Sequence, residues 1–197
     1  SGPVAFGKLE LFIEGGQFDV ADTVVDVWGG VAWLILLAGY YRLLAVPNRT
    51  PAQRVTVFTS LGYLMVVAWL VFAPVGLILP DSYKALSYFY MVPYNLHPFV
   101  HVDPEFLANI LLTGPLGVYC YLWRPHWSWW QVALAGLVPG LVIESAQFAS
   151  DWLVHTLRVV DIDDVITNWA GLVLGYVVVW GLDHTPLRTL IKPFRLR

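Results

Sequence analysis

Five apolar stretches, each long enough to cross a lipid bilayer, dominate this sequence. They run from Val24 to Leu44, Val55 to Leu79, Phe106 to Trp123, Ser128 to Ala149 and Val165 to Leu182. A helix rises 1.5 Å per residue, so about 20 apolar residues cross the hydrocarbon core. Charged residues make up only 13% of the 197-residue chain, against roughly 25% in soluble domains. The sequence therefore predicts an all-α, polytopic integral membrane helix bundle with about five transmembrane helices.

Charge and cysteine content exclude several other classes of protein. The net charge is −3, whereas a protein that binds nucleic acid needs a basic face, so no nucleic-acid partner is expected. The chain has one cysteine, Cys120, which permits neither an intrachain disulfide nor a zinc site built from thiolates. Membrane lipids are the first partners that this composition implies.

The basic residues predict how the five stretches are oriented. Eight of the eleven fall on one side of a five-span topology: Arg42, Arg49, Arg54, Arg124, Arg188, Lys192, Arg195 and Arg197. The other side holds Lys8, Lys84 and Arg158. By the positive-inside rule the first side is cytoplasmic. We therefore expect the N-terminus outside the cell and a basic C-terminal tail in the cytoplasm.

The beginning of the chain resembles a later part of it. Residues Phe12 to Phe18 align with Val142 to Phe148 at an offset of 130, and Asp22 to Gly29 then align with Asp164 to Gly171. Two blocks in the same order indicate an internal repeat. A parallel repeat of four spans also keeps both copies in the same orientation.

The repeat predicts how the chain divides. Residues 1–47 would be part of a preceding repeat, with an interfacial segment and one transmembrane helix, and residues 48–197 would form a complete four-helix unit. Ser1, Gly2 and Pro3 resemble the remnant of a cleaved tag. We therefore expect the chain to be a fragment of a longer protein.

Polar side chains interrupt the apolar pattern at one predicted depth. Glu144 and Gln147 are three residues apart, so they share one face of the fourth stretch. A carboxylate in hydrocarbon is costly unless it has a partner or lies in a wet cavity. Candidate partners on the same predicted side are Arg158, Asp161, Asp164, Asn168, Asn95, His97 and Asn109. Together they predict an outward-facing polar pocket.

Each of these residues also has a purely structural interpretation. Asp163 or Asp164 would cap the N-terminus of the fifth helix, where the helix dipole favours a carboxylate. Arg158 would form an ion pair with Glu144 or an aspartate. The polar side chains of the third and fifth stretches would join helices by hydrogen bonds.

Two further features favour structural roles. Gly171 and Gly175 are four residues apart, which is typical of close helix packing. His97 is as readily a loop histidine as a ligand, and the five histidines show no spacing typical of metal ligands. We therefore interpret the glycines as a packing contact.

Four motifs in this order resemble the VanZ-like membrane protein family. They are Asn95 to Phe99 (NLHPF), Asn109 with Pro115-Leu116-Gly117, Ile143 to Gln147 (IESAQ) and Arg158 to Gly171 (RVVDIDDVITNWAG). The resemblance covers roughly Asn95 to Tyr176. Two features depart from the family pattern. Gly114 precedes Pro115, where an aromatic residue two positions before the proline is common in the family, and the N-terminal half-copy has Asp26 where Asn168 stands and no counterpart of Arg158.

The resemblance implies a setting for function. The namesake of the family is associated with resistance to teicoplanin, a glycopeptide that carries a fatty acyl chain. This implies action at the outer surface of a bacterial cell membrane, which agrees with the orientation predicted from the basic residues. Family resemblance by itself does not assign an activity.

Three hypotheses about function follow. The first is a binding or resistance protein that holds an amphiphile, such as teicoplanin or a lipid-linked cell-wall precursor, with Arg158 meeting an anionic head group. The second is an enzyme acting on a lipid-linked phosphate or diphosphate, with Asp161, Asp163 or Asp164 and Glu144 holding a divalent cation. The third is a lipid transporter or flippase. We rank binding first, and expect no cofactor apart from the cation of the second hypothesis.

Overall fold

The computed structural model describes residues 20–45, 48–72, 87–89, 92–99, 104–154 and 159–196. Its helices are α1 (Val20–Ala45), α2 (Pro51–Phe72), α3 (Pro104–Trp123), α4 (Trp129–Val154), α5 (Ile162–Asp183) and the short α6 (Arg188–Ile191). A single 3-10 turn, Lys192–Phe194, follows α6. Three short strands are β1 (Ser87–Phe89), β2 (Val92–Asn95) and β3 (Val160–Asp161).

Four helices in the described part are long and apolar enough to cross a membrane. They are α2 to α5, with spans at Pro51–Leu70, Pro104–Trp123, Trp129–Ala149 and Ile162–Asp183. The prediction of a membrane helix bundle is thereby confirmed. The first predicted stretch forms α1, whose apolar part, Gly29–Leu43, is shorter than these four. A crossing by α1 stays a prediction.

A small sheet, which the helical prediction did not include, connects two of the loops. Its strand order is β1-β2-β3, and β1 pairs with β2 in antiparallel fashion. Strand β2 pairs with β3 in parallel, with Tyr94 opposite Val160 and Asn95 opposite Asp161. Strands of two to four residues are too short for an alternating pattern to reveal. The sheet joins the segment before α3 to the segment before α5.

Glycines set the distances between the three helices that form the core. On α5, a side chain at Gly171 would meet Thr113 and Ile110, and one at Gly175 would meet the backbone oxygen of Gly114. On α3, Gly117 lies against the backbone of Leu172. The close packing predicted for Gly171 and Gly175 is confirmed. Helix α5 therefore contacts α3 almost backbone to backbone.

Helix α4 packs on another side of α5 by the same means. Gly136 lies against Trp169, and Gly140 lies against Val165. The indole nitrogen of Trp169 also donates a hydrogen bond of 2.9 Å to the backbone oxygen of Ala133 on α4. The face of α4 that carries these glycines also carries Glu144, four residues further along.

Among the described residues, the two ends of the bundle differ sharply in charge. We call one end the acidic end; there the sheet, the start of α3, the end of α4 and the start of α5 lie together. The opposite end, which we call the basic end, contains all seven of the described Lys and Arg residues: Arg42, Arg49, Arg54, Arg124, Arg188, Lys192 and Arg195. The five-span topology predicts that these residues lie on one side of the membrane.

The chain after α5 folds back over the basic end. We call residues Arg188 to Leu196 the C-terminal strap. Its backbone oxygens at Phe194 and Arg195 each accept a hydrogen bond of 2.8 Å from the first turns of α2, donated by Thr56 and Gln53. The Leu196 amide donates to the backbone oxygen of Leu122, also at 2.8 Å. The strap thus links the start of α2 to the end of α3.

Candidate functional site

Asp161 lies at the centre of the acidic end. It is the N-cap of α5, and its side chain accepts a hydrogen bond of 2.9 Å from the Asp163 amide. Its carboxylate also accepts from Nδ2 of Asn95, at 3.1 Å to Oδ2. Its own amide donates to Oε2 of Glu144 at 3.1 Å. One residue therefore ties β2, α4 and α5 together, and the cap is Asp161 instead of Asp163 or Asp164.

Glu144 and Gln147 are buried against α5, as their spacing predicted. Glu144 is 4% exposed and Gln147 is 8% exposed. Both lie on the α4 face that Gly136 and Gly140 bring close to α5. Burial of an ionisable group at this position is costly, so it persists only with polar neighbours. The Asp161 amide is one such neighbour.

A second link joins α3 to α5. The side-chain amide of Asn109 donates a hydrogen bond of 2.5 Å to Oδ1 of Asp164. One turn further along α3, the hydroxyl of Thr113 donates to the backbone oxygen of Asn109 at 2.8 Å. Thr113 also lies against Gly171. The hydrogen bond between Asn109 and Asp164 is therefore next to the close contact of α3 with Gly171.

The loop that follows β2 is held in an unusual conformation. Oδ1 of Asn95 accepts from the His97 amide at 3.0 Å, which forms an Asx turn. Phe99 then has a φ of 61°, in the left-handed region that bulky residues rarely adopt. Its amide donates to both carboxylate oxygens of Asp163, at 2.9 and 3.0 Å. Asp163 is 5% exposed, so a buried carboxylate fixes this strained loop.

Asn168 lies one turn beyond Asp164 on α5 and is 2% exposed. Its side-chain oxygen has no hydrogen-bond partner among the residues that the structure describes. The neighbouring Thr167, in contrast, donates to the backbone oxygen of Asp163 at 2.8 Å. A buried acceptor without a donor costs free energy. Asn168 therefore marks a position at which a donor would be stabilised.

The structure brings most of the predicted residues together. Direct hydrogen bonds join Asn95 to Asp161, Asp161 to Glu144, and Asn109 to Asp164. His97 takes part through its backbone, and its side chain is exposed. Arg158 lies outside the described residues, as does the first block of the proposed repeat. That this cluster acts as a binding site stays a prediction.

The contact between Asp163 and the amide of Phe99 was not predicted from the sequence. Asp163 was considered as a helix cap or a cation ligand, but its oxygens accept from a loop amide. A positive φ at a phenylalanine leaves no mark in the sequence, since glycine is the residue that normally signals it. The Pro98-Phe99 pair after an Asx turn was the only hint available.

The carboxylates at the acidic end accept hydrogen bonds from other groups of the protein. Across the described residues, no three His, Cys, Asp or Glu side chains are arranged to hold a metal ion. The oxygens that a cation would need accept backbone or amide protons instead, as at Asp161 and Asp163. These carboxylates therefore hold the loop after β2 and the start of α5 in place.

A comparison with protein families agrees with this geometry. The model of the VanZ/LLP1 family matches residues 60–183, a region that includes every residue of the cluster just described. No curated protein and no solved structure matched the chain. The family match covers more than half of the 197 residues, and the chain belongs to the VanZ/LLP1 family.

Proposed function

We propose that this protein binds the polar head group of an amphiphilic cell-envelope molecule at its acidic end. The observation that carries the proposal is the buried side-chain oxygen of Asn168, which lacks a donor among the described residues. Leaving a polar group buried and unsatisfied costs about 1–3 kcal/mol. A ligand hydroxyl or N–H group would recover that free energy once the side chains around Asn168, which is 2% exposed, move apart to admit it.

The chemistry of the cluster narrows the class of head group. Glu144, Asp161, Asp163 and Asp164 are all acidic and lie at one end of the bundle. Carboxylates bind donors such as sugar hydroxyls, amines and peptide amides. A lipoglycopeptide such as teicoplanin and a lipid-linked cell-wall precursor both carry such donors on a lipid-anchored head group. The association of the VanZ namesake with teicoplanin supports the same class.

Exposed apolar side chains lie beside the acidic end and would contact the tail of such a molecule. Leu107 and Leu111 lie on the first turns of α3, on the exposed face opposite Asn109, and Trp152 lies near the end of α4; all three are exposed. An acyl chain in the surrounding bilayer could lie along them while its head group reaches the cluster. This arrangement needs no movement of the ligand across the membrane, so binding is favoured over transport.

The proposal requires a test of binding by Asn168. We expect Asn168→Leu to lower the affinity for teicoplanin and for the lipid-linked precursor about tenfold, because one hydrogen bond to a buried group is lost. The purified protein in detergent should at the same time be as stable as the parent or more stable. Isothermal titration calorimetry gives the affinity, and thermal unfolding gives the stability.

Two controls make that result specific. Asn168→Asp retains the acceptor and should retain binding, while Asn48→Leu removes an exposed amide at the opposite, basic end and should leave the affinity for teicoplanin unchanged. Equal affinity of Asn168→Leu and the parent would contradict the proposal. Turnover of the lipid-linked precursor that depends on a divalent cation would place the protein among enzymes instead.

We also propose that the acidic end faces outward and the basic end faces the cytoplasm, in agreement with the positive-inside rule. In a Cys120→Ala background, we expect an impermeant thiol reagent to label Glu105→Cys in intact cells and to leave Asn48→Cys unlabelled. Both positions should be labelled after the membrane is opened with detergent. Preferential labelling of Asn48→Cys in intact cells would reverse the orientation.

A further inference from the structure

Two clefts lie at the basic end, on either side of the C-terminal strap. The smaller cleft has a volume of about 510 Å³ and is lined by Trp123, Arg124, His126, Gln131, Lys192 and Arg195, among others. The larger has a volume of about 770 Å³ and includes Asn48, Arg49, Thr50, Gln53, Thr189 and Lys192 in its lining. Because Lys192 lines both, the two clefts adjoin each other across the strap.

The lining of both clefts carries positive charge without any acidic side chain. Arg124, Lys192 and Arg195 line the smaller cleft, and Arg49 and Lys192 line the larger. The only described acid nearby is Asp183, which pairs with Arg195 and accepts a hydrogen bond of 2.7 Å from Tyr121. One carboxylate does not offset four cations. The clefts are therefore suited to an anion.

Unpaired donors indicate what kind of group the clefts would bind. Nη1 of Arg49, Nε1 of Trp123 and Nε of Arg195 are buried and have no hydrogen-bond partner among the described residues. The one unpaired acceptor at this end, Oδ1 of Asp183, belongs to a carboxylate that Arg195 already neutralises. All three belong to residues that line the clefts, so a side-chain rotation would present these donors to a ligand with several acceptor oxygens.

The position of the clefts within the bilayer indicates the source of that ligand. Trp123 ends α3, and the next tryptophan, Trp127, also lines the smaller cleft. Tryptophan is enriched where a membrane helix meets the head-group layer. The clefts therefore open at the depth of lipid phosphates.

We propose that the paired clefts at the basic end bind the phosphate head group of an anionic membrane phospholipid. Arg124 and Lys192 meet the phosphate oxygens, and the Trp123 indole donates to one of them. The adjoining larger cleft, with Arg49, holds the remainder of the head group. The strap is thereby fixed between lipid and protein. This site is independent of the binding proposed at the acidic end.

The test compares two double variants that remove the same charge from the same end. Arg124→Gln with Lys192→Gln alters the clefts, whereas Arg54→Gln with Arg188→Gln alters exposed basic residues that do not line either cleft. Affinity for phosphatidylglycerol is measured by native mass spectrometry of the full chain in detergent. We expect the first variant to lose tenfold or more, since two charge-assisted contacts disappear, and the second to lose less than twofold.

A milder variant separates binding from folding. Trp123→Phe keeps an aromatic side chain but removes the unpaired donor, so we expect phosphatidylglycerol affinity to fall about threefold while thermal stability without lipid changes little. Trp130→Phe, at an exposed tryptophan of α4 that does not line either cleft, should match the parent. A loss of stability in Trp123→Phe together with unchanged affinity would overturn the proposal.

The remaining outcomes identify the ligand or reject it. Binding of phosphatidylglycerol well above phosphatidylcholine and inorganic phosphate supports the proposal. Equal affinity for inorganic phosphate or glycerol phosphate would show a site for a soluble phosphate and overturn the lipid assignment. Equal losses in the two double variants would show diffuse attraction to the membrane surface, which would also overturn it.

Discussion

Replacing Gly175 with alanine is expected to lower the free energy of unfolding by about 3 kcal/mol, the upper end of the range for overpacked sites. A Cβ atom at this position would meet the backbone oxygen of Gly114 on the facing helix. A backbone atom cannot move aside as a flexible side chain can. The substitution must therefore push α3 and α5 apart. It would weaken the packing between these two helices, which the hydrogen bond from Asn109 to Asp164 also joins.

Two other glycines provide the control for that result. A Cβ atom at Gly62 on α2 or at Gly181 on α5 would meet nothing within 4 Å, so alanine there should be neutral or slightly stabilising. Unfolding in mixtures of mild and denaturing detergents measures all three variants. If Gly175→Ala were as stable as Gly62→Ala, the backbone contact between α3 and α5 would be wrong.

Replacing Asp183 with alanine is expected to cost about 3 kcal/mol, because it leaves Arg195 partly buried without its counter-charge. The two side chains form an ion pair, and the Tyr121 hydroxyl donates to the same carboxylate at 2.7 Å. Nη2 of Arg195 donates to the Tyr121 oxygen at 3.0 Å, and its guanidinium lies 5.3 Å from the centre of the Tyr121 ring. Replacing any one of Asp183, Tyr121 and Arg195 therefore removes a partner from the other two.

A double-mutant cycle tests this dependence. The double variant Asp183→Ala with Arg195→Met should lose less stability than the sum of the two single changes, since neither charge is then left alone. Arg188→Met removes an exposed cation from the same strap and serves as the control, with an expected change below about 0.5 kcal/mol. Strictly additive single effects would mean that the ion pair contributes nothing.

Composition and length were sufficient to predict the membrane helices. The predicted stretch from Phe106 to Trp123 differs from α3 by only two residues at its start. The fourth stretch ends five residues before α4 does, and the fifth starts three residues after α5 does. Both helices were nevertheless predicted, because apolar runs of this length have few alternative structures. The internal repeat and the division at residue 48 stay predictions.

The sequence predicted most residues of the cluster at the acidic end, but fewer of the hydrogen bonds between them. Glu144 in an apolar stretch required polar neighbours, and Asp161 and Asn95 are among those it was expected to have. The sequence predicts Asp163 or Asp164 as the N-cap of α5, whereas the cap in the structure is Asp161. The difference arises because the start of a helix is uncertain by a few residues when it is predicted from sequence. The contact between Asp163 and the Phe99 amide depends on a backbone conformation that no pattern encodes.

The clefts at the basic end were not predictable. In the sequence, Lys192 and Arg195 belong to a basic tail without periodicity, and nothing indicates that this tail folds back on the bundle. The fold-back depends on hydrogen bonds to backbone oxygens of Phe194 and Arg195, which carry no residue preference. It also depends on the ion pair between Arg195 and Asp183, which no spacing in the sequence predicts. Backbone-mediated contacts of this kind are read only from a structure.

The strap also imposes an order on biosynthesis. Thr56 and Gln53 enter the membrane early in translation, yet their acceptors lie at positions 194 and 195. The ribosome must therefore complete four membrane helices before the first of them, α2, can make these bonds. Until then the Thr56 hydroxyl can donate to the backbone oxygen of Ala52 in its own helix, whereas the Gln53 side-chain amide lacks its acceptor on the strap. The basic end therefore completes its assembly only after the helices have been inserted. A nascent chain halted after α5 would lack the hydrogen bonds between the strap and α2.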